Sequence, residues 1–237
     1  MRRMKTALFS LLTLFAFGQT ASAVVLVNYA FSTAAPDTPA ANVSAPNAAW
    51  GGYAVAPVSG FSSGTGSAFA RTDAVPAALD TTKYLEITLS AQAGYLLDLD
   101  DVTFIFGGSS STGNSVTEWA ELRTNAEATD FSTSLSLTKT AGTGAVIGGT
   151  VAEQGFASSS NTYSTFSANL TGPLYQGLAS ITFRWYLYDS TPSNSFFARL
   201  DSVTISGDAV PVPEPGALTL ALTAVALPFF QRRRKLS

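Results

Sequence analysis

The 237-residue chain contains neither cysteine nor histidine. Without cysteine, no disulfide staples the fold and no thiolate serves as nucleophile or metal ligand. Without histidine, a Ser-His-Asp triad, an imidazole general base and zinc sites built on imidazole are all excluded. Charge is sparse too, at 12% of residues, and seven of the thirteen Lys and Arg crowd into the two ends. Between residues 24 and 213 only six cations remain (Arg71, Lys83, Arg123, Lys139, Arg184, Arg199) against fifteen carboxylates, leaving about −9 where the whole chain carries −3. That excess opposes nucleic acid and anionic lipid, both of which need positive charge. Paired carboxylates, oxygen-bound calcium, neutral glycans and cationic partners stay open.

What is present is concentrated first at the termini. Met1-Arg2-Arg3-Met4-Lys5 is a charged start, residues 7–17 form an apolar core, and Ala21-Ser22-Ala23 is a small-residue cleavage site. Together they read as a secretory signal peptide over residues 1–23, with the mature chain beginning near Val24. At the other end stand Val212-Pro213-Glu214-Pro215-Gly216, an apolar run over 217–230, and Arg232-Arg233-Arg234-Lys235. The fourteen residues of this run rise about 21 Å as a helix, short of the roughly 20 residues that span a bilayer comfortably. The basic cluster favours a cytoplasmic C-terminus, which puts the residues before Pro213 outside. Proline cannot continue a helix backwards, so the box reads as an exposed, cleavable stretch.

Box, apolar span and basic end, in that order over residues 211–237, resemble the PEP-CTERM sorting signal of exported bacterial proteins. The resemblance implies passage through the export machinery and processing by a membrane exosortase. The expected location is transiently the inner membrane, then the cell envelope or the extracellular space. An ordinary single-span tail anchor is the other reading of the same segment.

Residues 24–210 are expected to form one β-sandwich domain, since about 190 residues bury a sizeable core. Residues 24–80 are rich in Ala, Pro, Gly, Ser and Thr and read as loops, with short strands at 24–31 and 52–56. Over 81–207 apolar and polar residues alternate with period two at 84–90, 101–106, 117–124, 134–138, 162–170, 179–188 and 196–206. No stretch between residues 24 and 216 has the apolar spacing of a helix. An all-β, antiparallel, jelly-roll-like sandwich follows. A pattern Leu-x-x-(Val/Ile)-Thr-(Phe/Ile) recurs at Leu99, Leu178 and Leu200, at spacings too unequal for a solenoid. The glycine-rich stretches 107–113 and 142–149 lack the lysine of a phosphate-binding loop and read as connections.

Gly94-Tyr95-Leu96-Leu97-Asp98-Leu99 leading into 102–106, with Arg199-Leu200-Asp201-Ser202-Val203-Thr204-Ile205 closing the domain, is similar to passenger domains of PEP-CTERM proteins. These are similar in turn to carbohydrate-binding jelly rolls. Such modules often hold a structural calcium at an aspartate of the final strand, which makes Asp201 the candidate here. Asp98, Asp100 and Asp101 cluster before another strand, where aspartate is also an ordinary turn residue. No other cofactor is expected.

Alternation over 181–188 puts Ile181, Phe183, Trp185 and Leu187 on the core face and Thr182, Arg184, Tyr186 and Tyr188 on the other. If Ala120 and Leu122 pack inward, Trp119, Glu121 and Arg123 face outward. Trp119, Glu121, Arg123, Arg184, Tyr186 and Tyr188 thus form a candidate glycan-facing patch, rings stacking on sugars and polar groups meeting hydroxyls. Cross-strand pairs that merely stabilise an exposed sheet are the plainer reading. A glycosidase would need two carboxylates about 5 to 9.5 Å apart, with Glu86, Glu118 and Glu121 the candidates, but no spacing selects a pair. The expectation is therefore a non-enzymatic structural or adhesive protein of the envelope or extracellular polysaccharide, with glycan binding as the alternative.

Overall fold

The computed structural model describes residues 24–53, 59–62, 67–71, 75–110, 116–156, 162–190 and 196–212. The signal peptide and the tail beyond Val212 lie outside the described residues. Among the described residues fourteen strands run in chain order: β1 Val24–Tyr29, β2 Val43–Ser44, β3 Ala49–Gly51, β4 Ser59–Ser62, β5 Ser67–Arg71, β6 Tyr84–Ala91 and β7 Tyr95–Ser110, then β8 Val116–Thr124, β9 Thr138–Gly142, β10 Ala145–Ile147, β11 Val151–Phe156, β12 Thr162–Asn169, β13 Ser180–Asp189 and β14 Phe196–Pro211. A single 3-10 turn, Pro173–Tyr175, is the one helical element among the described residues.

The strands form two antiparallel sheets that face each other as a sandwich. One has the order β4-β5-β14-β7-β12-β9, with β1 also on β14; the other is β10-β11-β8-β13-β6-β2, with β3 also on β6. At their centres stand β5-β14-β7-β12 and β6-β13-β8-β11. Ranked by chain position these eight strands read 1-8-3-6 and 2-7-4-5, the nested pairing of a jelly roll.

Period-two alternation builds the interior. Leu85, Ile87 and Leu89 of β6, Ile181, Phe183, Trp185 and Leu187 of β13, and Phe104, Phe106, Val203 and Ile205 of the opposite sheet are all buried. Phe104 stacks on Phe166 at 5.6 Å and meets the edge of Trp185 at 6.0 Å, joining the sheets. Two copies of the recurrent pattern pair with each other: Val203 opposes Phe104, Thr204 opposes Thr103 and Ile205 opposes Val102. The third is tied in by a bridge between Leu97 and Leu178.

Several boundaries depart from expectation. The strand expected at 52–56 is β3 at Ala49–Gly51, because Gly52 adopts φ +71° and turns the chain; a Cβ there would lie 1.9 Å from the Thr82 carbonyl. Residues 54–56 lie outside the described residues. The stretch read as loop at 24–80 supplies β2 to β5 besides β1. Stretch 142–149, read as a connection, holds the end of β9 and all of β10, while Gly107 and Gly108 lie within β7; 111–113 lie outside the described residues. Gly107 is there because β12 passes so close that a Cβ would sit 2.0 Å from the Thr162 carbonyl. At 134–138 regular pairing begins only at Thr138, although Leu135 and Leu137 are buried as alternation requires. The Leu135 N–H donates to the Leu122 carbonyl at 2.8 Å.

Candidate functional site

The six residues of the expected patch all lie on β8 and β13, which pair with Arg184 opposite Arg123, Tyr186 opposite Glu121 and Tyr188 opposite Trp119. Parity places them together on the face away from the core, as expected. Their exposure is lower than an outward face implies. Tyr186 is only 1% exposed, Arg123 7% and Glu121 9%, because the segment after β8 folds back over this part of the sheet.

Arg123 is the clasp of that cover. Its Nε donates to Ser134 Oγ at 3.1 Å, one terminal nitrogen to the Phe131 carbonyl at 2.9 Å, and the other to Glu121 Oε2 at 2.8 Å. Ser134 Oγ donates to the same Glu121 oxygen at 2.6 Å, and Tyr188 Oη to the other at 3.3 Å. Phe131 carries φ +56°, which turns its carbonyl into this network. Arg184 is held as firmly: its guanidinium lies 4.0 Å from the Tyr84 ring centre and 3.9 Å from that of Phe131, while Nε donates to Glu86 Oε2 at 2.8 Å. Both arginines thus spend charge and ring contacts inside the fold. Burial raises the Tyr186 phenol above its ordinary range, against the two arginines.

What stays open is the end of the same face. Trp119 and Tyr188 are half-buried and stack at 5.5 Å and 23°. Trp119 Nε1 donates to Glu153 Oε2 at 2.8 Å, which fixes the indole. Both rings line a cleft of about 380 Å³ with Ala77, Ala78 and Leu79, from the connection before β6, and Ile147 and Val151 of the β10–β11 hairpin. Among the described residues its walls carry no charge, and Ile147 is 47% exposed. The sequence hid this cleft because four separate segments build it.

The carboxylate candidates separate. Glu86 and Glu121 lie on the outer face in ion pairs. Glu118 has the parity of Ala120 and Leu122 and points into the sandwich, fully buried, so it shares no cleft with either. Asp201 sits at a bulge of β14, where burial raises its carboxyl despite Arg199. Asp101 lies further along the ladder opposite Ser206, and the Asp98 carboxylate accepts the Gly177 N–H at 2.7 Å. Among the described residues, no three acidic side chains converge where a metal ion could be held.

No family model matches the chain. Nor does any curated protein. Among solved structures, the K1 cleaved adhesin domain of Lys-gingipain from Porphyromonas gingivalis W83 aligns over 97% of its length with 76% of this chain, at 14% identity and a TM-score of 0.32.

Proposed function

We propose that this chain is an exported, non-enzymatic β-sandwich with a structural or adhesive role in the cell envelope or extracellular polysaccharide. It enters the export machinery through residues 1–23, and an exosortase sorts it through the PEP-CTERM-like tail. The observation that carries this reading is the pair of signal-like terminal sequences flanking one sandwich in which Arg123 and Arg184, on the outer face of β8 and β13, are each closed onto a carboxylate. Among the described residues, no helix is long and apolar enough to cross a membrane; 217–230 lie outside them. Tagged chains with and without residues 213–237, followed by cell fractionation, test the tail. Sorting requires the truncated chain to stray from the location of the full one; identical distributions would refute it.

One observation sharpens the adhesive role to carbohydrate contact. Among the described residues the Trp119–Tyr188 cleft is lined by uncharged and aromatic side chains, the surface on which the apolar face of a neutral sugar ring stacks, with the indole held by Glu153 and the phenol by Glu121. This relocates the contact from the arginines to the end of the sheet. Trp119→Ala should abolish binding to a neutral polysaccharide from the host, and Lys139→Ala should leave it intact. Equal retention of both would refute the site.

A further inference from the structure

Directly behind the aromatic pair lies an acidic one. Glu118 and Asp189 are cross-strand partners on β8 and β13, one register step from Trp119 and Tyr188 and on the opposite face. Both are 0% exposed, and among the described residues neither Glu118 oxygen has a hydrogen-bond partner. On its other flank Glu118 opposes Gln154 of β11. That amide is committed elsewhere, accepting from Ser164 Oγ and donating to Thr143 Oγ1 and the Gly155 carbonyl. Among the described residues, the remaining titratable groups that act on Glu118, or on which it acts, are Arg199 of β14, Tyr163 of β12 and Tyr53 after β3. Two carboxylates side by side in so dry a place cannot both stay ionised without a large cost.

We propose that Glu118 and Asp189 form a proton-operated latch. With the proton held on Glu118, β8 and β13 stay paired at this end; its loss as pH rises loosens the Trp119–Tyr188 stack carried on the other side of the same two strands. The latch is independent of what the cleft binds.

Burial first, and the negative Asp189 second, raise the Glu118 carboxyl well above the glutamate range, with Arg199 opposing. In the unfolded chain Glu118 releases its proton near pH 4.3, roughly. Above that pH the folded state therefore binds more protons, so stability is full below it and falls as pH rises. The fall reaches up to about tenfold in the folding equilibrium per pH unit, until folded Glu118 ionises as well.

The test pairs thermal unfolding with fluorine NMR of 5-fluorotryptophan-labelled protein between about pH 5 and about pH 9. Substituting Trp119→Phe assigns the Trp119 resonance among the three tryptophans. The latch requires the wild-type midpoint to fall with rising pH and to level off as folded Glu118 ionises, with the Trp119 resonance moving at that second stage. Glu118→Gln should flatten both, and Asp189→Asn, which removes the neighbouring charge, should shift the titration to lower pH. A Trp119 resonance that stays fixed across the pH at which the fall levels off, or a fall that never levels off before the protein unfolds, would overturn the latch, as would a Glu118→Gln protein with the wild-type slope. Should Glu118→Gln fail to fold, an Asp189→Asn titration superimposed on wild type would overturn it equally.

Discussion

Replacing Arg123 by methionine separates a structural clasp from a ligand-facing arginine. Methionine keeps much of the aliphatic stem and removes the guanidinium, hence its bonds to Ser134, Phe131 and Glu121 and its position 5.1 Å over the Tyr186 ring. The larger consequence falls on Glu121, left as a buried carboxylate without its cation. Breaking a buried pair from one side costs about 3–5 kcal/mol. Glu121 keeps donors in Ser134 and Tyr188, which places the expected loss near the lower end, about 3 kcal/mol. Urea unfolding measures it, and hydrogen exchange locates it: protection of the Leu135 N–H, bonded to Leu122, should drop before that of β7 or β14. Adding Glu121→Gln removes the stranded charge and should recover at least half of the loss. A loss below about 1 kcal/mol, or a double variant as unstable as the single one, would refute the clasp.

Other perturbations probe the rest of the molecule. Phe104→Ala removes the ring between Phe166 and Trp185 and should cost about 3–5 kcal/mol in chemical denaturation, with loss of the near-ultraviolet tryptophan signal. Gly107→Ala should cost more than about 1 kcal/mol, because its Cβ meets the Thr162 backbone rather than a side chain that can move; an unchanged unfolding midpoint would mean β12 does not pass that close. Tyr29, whose hydroxyl donates to the Pro46 carbonyl at 2.6 Å, is raised by burial to about 12. Its share of the stability is complete below about pH 10 and lost as pH rises through about 12; Tyr29→Phe should remove that part of the alkaline slope.

The sandwich was legible because half-buried strands print their burial directly as alternation. Ile181, Phe183, Trp185 and Leu187 lie inward as their parity requires, and the same rule sets Trp119 and Tyr188 on one outer face. Parity assigns a face but not its exposure. Tyr186 was expected in solvent and is covered, because Phe131 and Ser134 fold over it from outside its ladder. Glu118 shows the reverse: Ala120 and Leu122 already marked its parity as inward, yet a carboxylate reads as surface when composition is weighed before register. Strands β9 to β11 were obscured by Gly142, Gly144, Gly148 and Gly149, which punctuate tight hairpins as readily as long loops. The cleft needed three dimensions, since Leu79, Trp119, Ile147 and Tyr188 converge from distant segments.

The claim that this sandwich is exported and sorted is tested most directly by the intact mass of the protein in each fraction of its native host. The account predicts a species that begins near Val24, ends near Pro213 and is recovered outside the inner membrane. A species that keeps residues through Ser237 and stays in the membrane fraction would contradict it.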